Sequence, residues 1–133
     1  MLWRIEQDRR ESSIPIYEQI VAQVIFGIAS GSLEVGELIP SVRDLAGRLQ
    51  VHPNTVARAF QELEKQQVVV ARRGLGMEVK ASGVELCKWM RQEILRARIR
   101  TVLREAVSSS LSKDDIRRLV EDELANIDNG QAK

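Results

Sequence analysis

What is scarce in this sequence excludes more than what is abundant. The 133 residues contain one cysteine, Cys87, so no disulfide can form within the chain, and a reducing compartment fits that usage. The single histidine, His52, has no second histidine or CxxC pair beside it, which rules against the usual zinc sites and against a histidine-based catalytic set. Aromatic residues are only 4% of the chain, so aliphatic side chains must fill the core. No apolar run approaches the roughly 18 residues of a membrane span, and the charged start, Met1 to Arg10, lacks the apolar centre of a signal peptide. These absences predict a cytoplasmic, non-enzymatic protein without cofactor, metal or membrane partner. Carboxylate groups such as Asp114–Asp115 and Glu121–Glu123 read as a helix start and a solvated helix face.

Charge of one sign is also missing overall, since the net charge is only +1. Its distribution is uneven. Between Ser41 and Gly76, six cations (Arg43, Arg48, Arg58, Lys65, Arg72, Arg73) stand against three anions (Asp44, Glu62, Glu64), a local excess suited to phosphate.

Periodicity and punctuation predict a mainly α fold. Residues 1–13 read as a polar arm. A first helix starts near Pro15, carries Ile16, Ile20, Val24 and Ile28 at helical spacing, and stops at Ser30-Gly31. Ser32 to Pro40 reads as a loop with at most a very short strand. A second helix opens on Ser41 as N-cap, with Asp44 three residues on, and ends near Gln50. His52 caps a third helix with Pro53 at its first position and Val56, Ala59, Phe60 and Leu63 inward. Two short helices joined by so short a turn form a helix-turn-helix. The β-branched run from Val68 to Val70, the turn from Arg72 to Gly76, and Met77 to Lys80 predict a β-hairpin with a basic tip, a wing.

Past Ala81-Ser82-Gly83, a Ser82/Glu85 capping box predicts a long helix to about Ser108. Ser112 caps a last helix with Leu111 and Ile116 as a staple, and Asn129 to Lys133 reads as a frayed end. The predicted organisation is a winged helix-turn-helix of three helices and a small hairpin over residues 1–80, then a two-helix dimerisation segment over 81–133. The apolar stripe of this segment, Leu86, Met90, Ile94, Leu103, Ile116, Leu119, Val120 and Leu124, has little else to cover than a second copy.

The third helix is the candidate for the major groove of duplex DNA, where N-terminal side chains reach base edges. Asn54 suits adenine, Thr55 a phosphate or a thymine methyl, and Arg58 guanine or a phosphate. Ser41 and Arg43, at the positive end of the second helix, suit a phosphate. Arg72, Arg73 and Gly74 can follow a phosphate or enter the minor groove, and His52 faces solvent or DNA at the turn. The competing reading is a protein-interaction adaptor, which has no need of Asn54, Thr55 and Arg58 beside a basic wing.

Four blocks in order, PIYEQI (Pro15 to Ile20), SGSLEVGELIPSVRDLAGRL (Ser30 to Leu49), VHPNTVARAFQELEKQQVV (Val51 to Val69) and RRGLGMEV (Arg72 to Val79), resemble the GntR family of bacterial regulators. The resemblance implies a homodimer on a near-palindromic operator. It places Arg43 at a phosphate- or base-contacting position, Asn54 and Thr55 at operator-contacting positions, and Gly74 at a wing tip entering the minor groove. Pro53 stands where many members carry arginine, so that base contact is absent, and the form PNTVARAF is similar to the YtrA subfamily. The roughly fifty residues after the wing are too few for a large effector domain, which fits the same subfamily. Its members often repress operons for ATP-binding-cassette transporters. Whether a small-molecule effector lodges between the C-terminal helices is left open.

Overall fold

The computed structural model describes residues 3–5 and 14–130. Most of the expected N-terminal arm, residues 6–13, and the end of the expected frayed tail, residues 131–133, lie outside the described residues. The part of the arm that is described is not loose. Trp3 and Ile5 pack on the core, and the Arg4 amide donates to Gln23 Oε1 at 2.7 Å.

Helix α1 (Ile16–Ser30) follows Pro15 and ends at Gly31 in the left-handed region, φ 88°. The run IVAQVIFGIA leaves α1 with few polar positions, and Ile20, Val24 and Ile25 are completely buried. Strand β1 (Leu38–Ile39) precedes α2 (Val42–Leu49), and α3 (Pro53–Lys65) follows after three residues. Ser41 Oγ accepts from the Asp44 amide at 3.1 Å, and His52 Nδ1 accepts from the Asn54 amide at 3.0 Å. Both expected caps therefore satisfy amides that the first turn of a helix leaves open. Helix α3 packs against α1 and α2, with Val56, Ala59 and Leu63 fully buried.

Strands β2 (Val69–Arg72) and β3 (Gly76–Val79) pair antiparallel, with Arg72 opposite Gly76 and Val70 opposite Glu78. The hairpin is one part of a three-stranded sheet in the order β1-β3-β2, because Leu38 and Ile39 pair with Glu78 and Met77. The loop expected between Ser32 and Pro40 thus contributes an edge strand that anchors the wing to the helices.

A 3-10 turn (Ala81–Gly83) leads into α4 (Val84–Ser108), and Ser112 caps α5 (Lys113–Asp128) by accepting from the Asp115 amide at 3.0 Å. The chain divides into two compact units between Ile94 and Leu95. The first contains the core, and the opening turns of α4 belong to it. Cys87 is completely buried there, and Val84, Met90 and Ile94 pack on the same cluster. The second holds the rest of α4 and α5. Its apolar side chains stay largely uncovered, among them Ile99, Val102, Leu119, Leu124 and Ile127.

Candidate nucleic-acid interface

The site lies within the first unit. Three elements supply it: the start of α2, the exposed side of α3, and the β2–β3 wing. Ser41 caps α2 with its oxygen as acceptor, which leaves its hydroxyl hydrogen available to an outside acceptor. Arg43 lies exposed in the first turn, where free amides and the helix dipole favour an anion. An open groove of about 510 Å³ runs between Ser41 and Val42 on one side and Arg72, Arg73, Gly74 and Leu75 on the other, with Phe60 of α3 among its lining residues. Folding thus brings together Ser41 and the wing cations, some thirty positions apart in the chain.

On α3, Asn54 and Arg58 are exposed and four residues apart, so they share a face; Thr55 is half-buried. The turn that aims this face is tight. Gln50 adopts the left-handed conformation, φ 56°, and the Val51 amide closes onto Ala46 O at 3.1 Å. His52 spends Nδ1 on its cap, which orients its ring at the head of α3.

Arg58 does not stand alone. Its guanidinium carbon lies 3.8 Å from the ring centroid of Tyr17 on α1, a cation–π stack that holds the planar fork in one orientation. Tyr17 lies in the first turn of α1. Helical spacing carries no sign that α1 and α3 would bring it under Arg58.

The wing turns through Arg73, Gly74 and Leu75, with the Leu75 amide donating to Arg72 O at 2.8 Å. Gly74 and Gly76 both have positive φ, 78° and 119°, which L-side chains rarely adopt. Arg72 is engaged rather than projecting freely. Its Nε and Nη2 donate to the two carboxylate oxygens of Glu78 at 3.3 and 3.2 Å. That hydrogen bond and charge raise the guanidinium above its usual range. Glu78 was missed in the sequence, although a hairpin with a three-residue turn brings residues on neighbouring rungs of the two strands within side-chain reach. Arg73 has no carboxylate partner among the described residues.

Of the apolar residues expected at a dimer interface, Met90 and Ile94 rest in part on the core of the first unit, and Ile116 is nearly buried. Leu86, Leu103, Leu119, Val120 and Leu124 are between about 37% and 54% exposed.

Comparison with known proteins bears on the family and the fold. The family model described as bacterial regulatory proteins, gntR family, matches residues 16–79. HTH-type transcriptional regulator YhcF of Bacillus subtilis is 30% identical over 106 residues, covering 80% of this chain and 87% of that protein. HTH-type transcriptional repressor YtrA of the same organism is 26% identical over 120 residues, covering 90% and 92%. HTH-type transcriptional regulator Rv1152 of Mycobacterium tuberculosis is 48% identical over 62 residues, and the match spans 47% of this chain and about half, 51%, of that longer relative. Among solved structures, a GntR family transcriptional regulator from Listeria monocytogenes superimposes with a TM-score of 0.67 at 29% identity, covering 84% of this chain and 96% of that one. YtrA from Sulfolobus acidocaldarius, a GntR-family transcription factor, gives 0.53 at 30% identity, covering 93% and 99%.

Proposed function

Because the chain belongs to the gntR family of bacterial regulatory proteins and is a DNA-binding transcriptional regulator of YtrA type, we propose that it is a repressor that binds an inverted-repeat operator as a homodimer. The observation that carries this reading is the convergence of the capped start of α2, the exposed polar face of α3 and the basic wing on the first unit. In the proposed complex Asn54, Thr55 and Arg58 face base edges in the major groove. Ser41, Arg43 and His52 seat the protein on the backbone, and the tip of the wing reaches a phosphate or the minor groove through Arg73 and Gly74.

The second unit supports the homodimer. Its uncovered apolar stripes need a partner, and the charges of its helices complement one another. Helix α4 carries six basic against three acidic residues, α5 three basic against six acidic. A groove of about 720 Å³ along α4, lined by Ile99, Leu103 and Val107 together with Arg96, Arg100 and Arg104, has the chemistry to receive the apolar and acidic α5 of a second copy. The proposed division of labour is DNA reading over residues 1–80 and dimerisation over 81–133, with the first turns of α4 tying the two together. The repressor acts in the cytoplasm, nucleoid-associated when bound. Its proposed target is a transporter operon of the ATP-binding-cassette class, since the family resemblance brings that target with it.

Selection of bound sites from random duplexes tests this function. The selected sites should contain two inverted half-sites. Arg43→Ala and Arg58→Ala should each weaken binding to them at least tenfold. Unchanged retention of both variants on operator and heparin columns would favour a protein-interaction adaptor instead.

A further inference from the structure

The wing carries two adjacent arginines, but the structure treats them differently. Arg72 is bound through two of its nitrogens to both oxygens of Glu78, at 3.3 and 3.2 Å. Arg73, one residue on, lies exposed at the turn with no carboxylate partner among the described residues. Glu78 sits on β3 opposite Val70, and β3 is held on its other side by β1, so the carboxylate is carried on the central strand of the sheet. Its side chain is only 27% exposed, against 51% for Arg72. The acceptor is therefore the better fixed partner, and the arginine is drawn back along the hairpin toward it.

We propose that Glu78 is an affinity-setting residue of the wing, which withholds Arg72 from DNA phosphate and leaves Arg73 as the wing's one phosphate-binding cation. The inference rests on the DNA-binding reading above. Its physical basis is counterion release. A cation contributes to binding and to its salt dependence by displacing a condensed ion from the duplex, and a neutral ion pair displaces none. A phosphate seeking Arg72 must compete with a carboxylate already in two-point contact, whereas Arg73 meets no such competitor. The pair also crosses the two strands of the wing, so it braces the hairpin that presents Arg73 and Gly74.

The test measures binding of the full chain to a short mixed-sequence duplex across a range of salt concentrations. Five proteins are compared: the wild type, Glu78→Gln, Glu78→Thr, Arg73→Gln, and the double variant Arg72→Gln/Glu78→Gln. Glu78→Gln preserves shape and removes charge. Glu78→Thr, which suits a strand, is run beside it as a second variant, with melting curves on all. Releasing Arg72 in Glu78→Gln should tighten binding several-fold and steepen the plot of log affinity against log salt by about 0.9. Arg73→Gln should weaken binding and flatten the plot by about 0.9. The double variant should stay within about twofold of wild type. An unchanged salt slope in both Glu78 variants, or a double variant that loses as much as Arg73→Gln, would overturn the proposal while leaving DNA binding intact. A wild-type protein that binds no duplex would overturn the DNA-binding reading itself and the role of Glu78 with it.

Discussion

At Gly83 the chain leaves no room for a side chain. A Cβ built there would lie 2.9 Å from Val68 Cα and 3.2 Å from Val68 Cβ. The close approach lets the 3-10 turn lie across the start of the hairpin and bring α4 onto the core. Gly83→Ala is expected to cost about 1–3 kcal/mol of stability, the usual range for overpacking, read as a lower denaturant midpoint without a change in slope. Cys87, four residues on, is completely buried, and that burial pushes its thiol up to about 11 from 9.0. A raised acid favours the protonated folded form, so its contribution is fully present below pH 9 and is lost as pH rises toward 11. Stability should fall by up to about 1.4 kcal/mol per pH unit through that window, and a Cys87→Ala variant should lack this component. Tyr17 acts through another residue. Tyr17→Phe keeps the ring under Arg58 and should retain operator affinity, while Tyr17→Leu should lose several-fold with its fold intact.

Among the elements, what could be read in advance depended on how local the signal was. The caps at Ser41, His52 and Ser112 are chemical and local, and each does in the structure what its residue type implies. The glycine stop at Gly31 and the turn glycines of the wing follow the same rule. Gln50 does not. It occupies a left-handed position that glycine or asparagine would have announced, and tertiary packing of α2 against α3 holds it there. Strand β1 was legible only as a loop with at most a very short strand, because two residues carry no periodicity; its existence depends on β3 lying beside it. The candidate site divides in the same way. Ser41, Arg43, Asn54 and Arg58 follow from helix position, whereas Tyr17 and Glu78 enter through contacts made across elements. Helix α2 has only eight residues, so its cap matters more than most. Ser41→Ala should destabilise the chain by about 1 kcal/mol. It should also weaken DNA binding beyond what that loss of stability accounts for, as a titration on the folded protein would show.

For the whole molecule, the two units pose different physical problems. The first encloses its own core. The second displays apolar side chains with exposures near one half on both helices, which is more than a short segment leaves uncovered without a partner. In the proposed dimer, operator binding depends on residues that never approach DNA. Leu124→Asp should shift sedimentation from dimer to monomer and lower operator affinity at least tenfold, with the melting of the first unit little changed. No helix among the described residues is long and apolar enough to cross a membrane.

The most direct measurement is an anisotropy titration of the full chain against a duplex selected by it from random sequence, with a scrambled duplex of the same composition in parallel. If two copies read an inverted repeat, the selected duplex should saturate at two chains. Its half-sites should lie about one helical turn apart, and its affinity should exceed that of the scrambled duplex by about a thousandfold or more. Equal affinity for the two duplexes, or saturation at one chain per duplex, would contradict a dimeric operator-reading repressor.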